Sequence, residues 1–319
     1  AGMACEHAWR TQRPANDWRG FLDNWKPVVA LAREEATLLA ERTGLSKYDA
    51  MMDRFEPGMR SEQVGRVFGA VRQWLPDLID RVVERQSKQT LIEASGPFPV
   101  AAQQALCQRV VTMLGFDFSA GRLDTSTHPF SGGVPEDVRM TTRYREDEFL
   151  PALMGTVHET GHGRYEQNRP REWLGQPVSE ARSMAIHESQ SLSFEMQLGS
   201  HPGFARIVAP MLCTAFGEQP AFEPGNLWRL MTRVKRGLIR VDADEVTYPA
   251  SAPVTRVMMV AAAACSSSMI TNRWRMASTD ARTSAATREA PSGVMVPEAL
   301  ITGVRWKWAS GSVIPWSLP

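Results

Sequence analysis

One segment of the sequence has residue types and spacing that suit metal-dependent hydrolysis. It reads Val157-His158-Glu159-Thr160-Gly161-His162-Gly163-Arg164-Tyr165 and contains the pattern His-Glu-x-x-His. Residues four apart on a helix lie on the same face, so the rings of His158 and His162 can reach one ion. Neutral imidazoles suit Zn²⁺, and Glu159 is placed to take a proton from a water on that ion. The segment therefore predicts a zinc-dependent hydrolase and, within that class, favours a peptidase.

The residues around this motif predict that it lies on a helix. Leu150, Leu153, Met154 and Val157 recur at the three-and-four spacing of a buried helix face and lead directly into the motif. Gly161 lowers helix propensity by about 1 kcal/mol relative to Ala, and close packing or the approach of a substrate would explain its presence. The alternative interpretation is a pair of surface histidines on an ordinary helix.

A catalytic zinc site needs a third protein ligand, and the sequence offers several candidates. Glu188 lies some tens of residues after the motif, in the segment Ile186–Met196. The apolar spacing of this segment predicts a second helix packed against the first. Glu180 and Glu195 are rivals of Glu188 on spacing alone. His187 is either a ligand itself or a residue that supports one.

The elements before the motif are predicted to form a helical scaffold without chemistry of its own. Residues 1 to about 95 follow the 3.6-residue period, with turn signals at 43–46 and 56–58. Another helix is predicted from about Val100 to Leu114, with Gly115 placed to end it.

A small β-hairpin is predicted beside the metal helix. Residues 137–144 alternate apolar and polar side chains, as a strand does, and follow a first block at 121–130. The segment Ser131–Pro135 contains two glycines and a proline, which indicates a turn between the two blocks. The hairpin either lines a polar cleft with its imidazole, guanidinium and hydroxyl groups or is simply solvated.

Composition narrows the class of protein further. The chain has 319 residues, is 43% hydrophobic and 22% charged, and carries a net charge of +1, which gives no sign of nucleic-acid binding. Its four cysteines are scattered, as in a reducing compartment. The sequence shows neither a membrane-spanning apolar run nor a signal peptide. We therefore expect a soluble cytoplasmic protein with no nucleic-acid partner and no membrane contact.

Five motifs in order resemble one known family, the carboxypeptidase Taq (thermostable carboxypeptidase) family of zinc metallocarboxypeptidases. The resemblance runs from near residue 8 to residue 250. The motifs that carry it are His128-Pro129-Phe130, the D-x-R-x-T-T-R-Y block from Asp137 to Tyr144, His158 to His162, His187 to Ser191, and Ile239 to Tyr248.

The resemblance implies a mainly α fold, a helical zinc-peptidase with a deep groove, that usually forms a homodimer and acts on peptide substrates. It implies Zn²⁺ as cofactor, with other divalent ions such as Co²⁺ as alternatives. His158, His162 and Glu188 would be its ligands, Glu159 the general base, and His128 a group that polarises the substrate or stabilises the tetrahedral intermediate. The residues that the resemblance places around the site as substrate-binding or shaping groups are Asp137, Arg139 and Thr142.

The resemblance ends near residue 250. We therefore expect residues 1–250 to be a partial metallocarboxypeptidase domain that lacks opening helices. Residues 251–319 would be a non-matching tail rich in Ala, Ser, Met and Arg, arising from a changed reading frame or forming a poorly ordered extension. Without the family's C-terminal groove wall, the chain would bind zinc but cleave peptides poorly. The alternatives are a zinc endopeptidase and an inactive zinc-binding remnant.

Overall fold

The computed structural model describes residues 1–126 and 129–234. This part of the chain is mainly helical and contains one small sheet, which confirms the predicted fold class. The helices and strands, in chain order, are α1 (Gly2–Gln12), α2 (Trp18–Thr43), α3 (Lys47–Met52), α4 (Ser61–Ser87), α5 (Val100–Met113), β1 (Gly121–Thr125), β2 (Phe130–Val134), β3 (Asp137–Thr142), α6 (Leu150–Gln167), α7 (Met184–Leu192), α8 (Pro202–Phe216) and α9 (Pro224–Met231). A π-helical segment, Ser193–Gly199, continues directly from α7.

The first four helices follow the predicted pattern. Helix α2 begins at an Asp17 cap whose side chain accepts from the Gly20 N–H, and it ends where Gly44 adopts a left-handed φ of 70°. Helix α4 buries a stripe of apolar side chains at helical spacing, and α5 ends before Gly115, which has a φ of 86°. The buried residues of the α4 stripe are Val64, Phe68, Val71, Leu75 and Ile79.

The prediction of a simple hairpin is wrong in one respect, because Ser131–Val134 belongs to a strand. Strand β3 is the middle of a three-stranded sheet, with β1 parallel to it on one side and β2 antiparallel on the other. Gly133 has a φ of 118°, and a Cβ there would meet the Asp137 carbonyl oxygen at 2.2 Å. Glycine is therefore needed where the end of β2 lies close to the start of β3, and its turn-like signal misled the sequence interpretation.

Helix α6 is held on several sides by apolar packing. Leu153 and Val157 are fully buried in a core shared with side chains from α5, α8 and α9. Phe149, just before α6, packs against Phe98 with ring centroids 5.0 Å apart and the ring planes tilted by 58°. A second cluster between α5 and the sheet contains Val111, Phe116, Val138 and Met140. This packing fixes the helix that carries the His-Glu-x-x-His motif.

The start of α7 is anchored to the loop after α3. The Glu56 carboxylate accepts hydrogen bonds from the Ser183 hydroxyl at 2.7 and 2.9 Å and from the Ala185 N–H at 3.1 Å. Ser183 also caps α7 by accepting from the Ile186 N–H. These contacts satisfy donors at the helix start and fix where α7 begins relative to the N-terminal helices.

Three sequence expectations lie outside the described residues. The predicted tail, residues 251–319, and the motif from Ile239 to Tyr248 both lie beyond residue 234, and His128 lies in the internal gap. Within the described ranges, no helix is both long enough and apolar enough to cross a bilayer.

Candidate metal centre

The two histidines of the motif project from one face of α6. His158 and His162 are four residues apart, and their ring centroids lie 5.0 Å from each other. Both side chains are largely buried, with exposed fractions of 21% and 13%. The helical spacing therefore brings the two imidazoles together on one face of α6, as predicted.

Helix α7 packs unusually close to α6 at Gly161. A Cβ on Gly161 would lie 2.5 Å from the Cα of Ser191 and 2.7 Å from the carbonyl oxygen of Gln190. Real Cβ atoms do not approach backbone so closely, so only glycine permits this separation of the helices. Of the two reasons offered for Gly161 from the sequence, the structure supports close packing.

This close approach carries Glu188 to the two histidines. Its Oε1 lies 3.6 Å from Nε2 of His158, and its Oε2 lies 3.4 Å from Nε2 of His162. One donor atom from each residue falls within 4.8 Å of the others. Two ligands at about 2.1 Å on one tetrahedral ion are themselves about 3.4 Å apart, so this set of three fits a zinc-sized ion.

The rival ligands occupy different places. Glu180 is exposed. Glu195 contacts His158 on the opposite ring nitrogen, with Oε2 2.6 Å from Nδ1. His187 likewise lies beside Nδ1 of His162 at 2.6 Å. Neither Glu195 nor His187 is therefore in the group of donors that Glu188 completes.

Glu159 is buried against the same site. Its side chain is only 7% exposed, and its Oε2 atom has no hydrogen-bond partner in the described part of the chain. Burial raises the pKa of Glu159, although the nearby His158 and His162 and a hydrogen bond from Ser131 oppose the rise. A buried carboxylate with a raised pKa and a free oxygen suits proton transfer.

The charges of the site depend on one another. Burial by itself would lower the pKa of His158, but the hydrogen bond and negative charge of Glu195, with Glu188 and Glu159, raise it to about 9. Burial opposes ionisation of Glu188, yet the hydrogen bond and charge of the neighbouring histidines lower its pKa. The carboxylate is thus held in its charged form, as a metal ligand must be.

An open cavity of about 400 Å³ borders these groups. Strand β2 forms one wall, and helices α6 and α7 form the other. A Cβ on Gly132 would meet nothing within 4 Å. The side chains that matter to the site and line the cavity are Phe130, Ser131, Glu159, His162, Glu166 and His187.

The predicted shaping residues are on β3. Asp137 and Arg139 pair with each other, Nη2 to Oδ2 at 2.7 Å, and both side chains are about half exposed. Neither is among the described residues that line the cavity. Thr142 is fully buried, and its hydroxyl lies 3.4 Å from the Ala152 carbonyl on α6, so it joins the sheet to the metal helix.

Two site residues did not emerge from the sequence. Ser131 was assigned to a turn, but β2 places it beside Glu159. Glu166 lies 2.7 Å from His187 and lines the cavity. It follows His162 by one helical turn, so the i, i+4 rule that pairs the two ligands also points to Glu166.

Comparisons with known proteins show which family the chain is similar to. The sequence profile of the family described as carboxypeptidase Taq (M32) metallopeptidase matches residues 1–254. Thermostable carboxypeptidase 1 of Thermus thermophilus is 38% identical over 256 residues, covering 78% of this chain and 50% of the relative. Carboxypeptidase 1 of Bacillus subtilis is 32% identical over 246 residues, covering 76% of this chain and 49% of the relative.

A solved structure shows the same fold. Metallocarboxypeptidase 1 of Trypanosoma cruzi superposes with a TM-score of 0.71 at 48% identity, covering 77% of this chain and 50% of that one. The chain thus spans about half the length of the relatives that it matches. The region matched by the family profile contains the two helices that carry the candidate ligands and the sheet beside them. The chain belongs to the carboxypeptidase Taq (M32) family of metallopeptidases.

Proposed function

We propose that this chain carries the metal-binding part of a zinc-dependent carboxypeptidase, which removes residues from the C-terminus of peptides. The observation that carries the proposal is the convergence of His158, His162 and Glu188 beside the unpartnered Oε2 of Glu159. The carboxypeptidase specificity is inferred from the relatives' names and from family membership.

The residues present fit a divalent metal. Two imidazole nitrogens and one carboxylate oxygen form the donor set of several catalytic zinc sites and leave a fourth position open. When bound there, Zn²⁺ supplies a Lewis acid that polarises the scissile carbonyl and makes water more acidic. The same donors also bind Co²⁺, so zinc is the preferred assignment because its coordination number matches three ligands and one open position.

The chain's own residues would then move the proton. Glu159 accepts it from the attacking water at Oε2 and donates it to the leaving amine. Ser131 holds the carboxylate from the side of β2, since its hydroxyl donates a hydrogen bond to Glu159. The predicted role of His128 in polarising the substrate stays a proposal, as do the homodimer and the cytoplasmic location.

The test compares the protein with its Glu159→Gln variant on two peptides of identical sequence. One peptide has a free C-terminus and the other a C-terminal amide. We expect one zinc per chain in both proteins, with slow trimming of the free peptide by the parent alone. Glu159→Gln keeps the size and removes the base, so trimming should fall by about 100- to 10,000-fold.

Two results would overturn the proposal in different ways. Internal cleavage of the amidated peptide would identify a zinc endopeptidase. Bound zinc with no trimming above the Glu159→Gln background would identify an inactive metal-binding remnant.

A further inference from the structure

Each ligand histidine is held at the ring nitrogen that faces away from Glu188. Nδ1 of His158 lies 2.6 Å from Oε2 of Glu195, and Nδ1 of His162 lies 2.6 Å from Nδ1 of His187. An imidazole can bind a metal only through a nitrogen that carries no proton. The partner at Nδ1 therefore decides whether Nε2 is available as a ligand.

The contact with Glu195 determines which ring nitrogen of His158 carries the proton. A carboxylate only accepts hydrogen bonds, so Nδ1 of His158 carries the proton and donates it. Nε2, which lies 3.6 Å from Oε1 of Glu188, is then the nitrogen at which a metal can replace the proton. Glu188 and Glu195 thus lie beside opposite nitrogens of the His158 ring. Glu195 belongs to the π-helical segment that follows α7. Such segments recur at functional sites.

His162 is held by a chain of two hydrogen bonds instead of by a single carboxylate. This chain, from His162 through His187 to Glu166, is called the relay. Nε2 of His187 lies 2.7 Å from Oε1 of Glu166, so this nitrogen donates to the carboxylate. Nδ1 of His187 is then bare and accepts from the Nδ1–H of His162. Nε2 of His162 is again free on the side of Glu188. The opposite direction of hydrogen bonding would place a proton on that nitrogen and remove a ligand.

The relay is built into buried surroundings. Glu166 is only 9% exposed, and the Arg169 guanidinium lies 3.0 Å from its Oε2. Nε of Arg169 makes no hydrogen bond within the described residues, so this contact is an ion pair that offsets the buried charge. The Tyr165 ring lies 4.6 Å from the His187 ring, centroid to centroid. His187 is thus held between Tyr165, His162 and Glu166.

We propose that Glu195 positions the ring of His158 and that the His187–Glu166 pair positions the ring of His162. In both rings the partner at Nδ1 leaves Nε2 as the nitrogen that binds the metal. This inference rests on the proposed metal site and assigns the residues that orient its two histidine ligands. The two supports are independent, because one comes from the π-helical segment and the other runs back to α6.

The experiment measures Zn²⁺ affinity by competition with a chromophoric chelator, together with the visible spectrum of the Co²⁺-loaded protein. Glu195→Ala, Glu166→Ala and His187→Phe should each weaken Zn²⁺ binding by about 10- to 100-fold. Glu195→Gln and Glu166→Gln keep an acceptor oxygen and should recover part of the affinity and the parental Co²⁺ spectrum. Glu180→Gln changes an exposed carboxylate near α7 and should leave both readouts unchanged.

Double variants test the arrangement itself. His187→Phe combined with Glu166→Ala should cost no more than the worse single variant, because both break one relay. Glu195→Ala combined with His187→Phe should multiply the two losses. The inference would be overturned if Glu195→Ala, Glu166→Ala and the corresponding Gln variants all bound Zn²⁺ within twofold of the parent. It would also be overturned if Glu180→Gln lost as much Zn²⁺ affinity as these variants do.

The same measurements separate this inference from the proposed function. A parent protein that binds no Zn²⁺ would overturn both. A parent that binds Zn²⁺ with the expected pattern of losses but does not trim peptides would overturn the proposed activity alone and support the positioning roles.

Discussion

The contact between α6 and α7 at Gly161 can be tested by adding one methyl group. In Gly161→Ala, the new Cβ would lie 2.5 Å from Cα of Ser191, 2.7 Å from the carbonyl oxygen of Gln190 and 2.9 Å from N of Ser191. All three are backbone atoms, so no change of side-chain rotamer relieves the overlap. Because carbon atoms pack at about 3.5 Å or more, α7 must move away by about 1 Å.

The magnitude follows from two opposing effects. Overpacking of a close contact costs about 1–3 kcal/mol, while replacing Gly by Ala within a helix returns about 1 kcal/mol. Gly155 supplies the matched control, because it lies on the same helix and a Cβ there meets nothing within 4 Å. Gly155→Ala should therefore stabilise the protein by up to about 1 kcal/mol, and the two variants should differ by about 1–3 kcal/mol.

The assay is urea unfolding with a chelator present, so that bound metal adds nothing to the measured free energy. Zn²⁺ affinity, measured separately, should fall in Gly161→Ala, since the movement of α7 carries Glu188 away from His158 and His162. It should stay unchanged in Gly155→Ala. A Gly161→Ala protein as stable as Gly155→Ala, with unchanged Zn²⁺ affinity, would refute the close packing of α6 and α7.

Three further predictions concern the surrounding structure. Glu56→Ala removes the acceptor of the Ser183 hydroxyl at the start of α7 and should lower the free energy of unfolding by about 1–2 kcal/mol; an unchanged urea midpoint would contradict this anchor. Burial raises the pKa of the Cys107 thiol to about 11, so at pH 8 it should resist alkylation in the folded protein while the partly exposed Cys213 reacts. Equal labelling of the two, located by mass spectrometry, would show that Cys107 is accessible. Met140→Ala leaves a cavity at a fully buried position and should lower the free energy of unfolding by about 2–5 kcal/mol, measured by thermal or urea unfolding. Little change in that free energy, as expected for an exposed side chain, would contradict the burial of Met140.

The sequence was sufficient where local periodicity decides the structure. The buried stripe through Leu153 and Val157 predicted α6, and the four-residue spacing placed His158 and His162 together. Family resemblance then singled out Glu188 from its rivals. Spacing alone left the third ligand open, because it depends on how closely α7 approaches α6, and that distance is set by the backbone contact at Gly161.

The sequence was insufficient where long-range pairing overrides a local signal. Gly132 and Gly133 indicate a turn by residue type, yet they pair with Arg139 and Val138 in the sheet. The parallel pairing of β1 with β3 likewise has no local signature. The direction of the hydrogen bonds that end at Glu166 and Glu195 required side-chain positions, since residue types alone do not tell which ring nitrogen each partner faces.

The measurement that tests the central claim most directly is Zn²⁺ binding by Glu188→Gln, compared with the parent, Glu195→Gln and Glu180→Gln. If His158, His162 and Glu188 are the ligands, the parent binds one zinc per chain. Glu188→Gln should then lose more Zn²⁺ affinity than Glu195→Gln does. The loss in Glu195→Gln should not exceed about 10- to 100-fold, which is the usual effect of removing a residue that supports a ligand. Glu180→Gln should bind as the parent does. Equal affinity in Glu188→Gln and the parent would contradict the proposed metal centre.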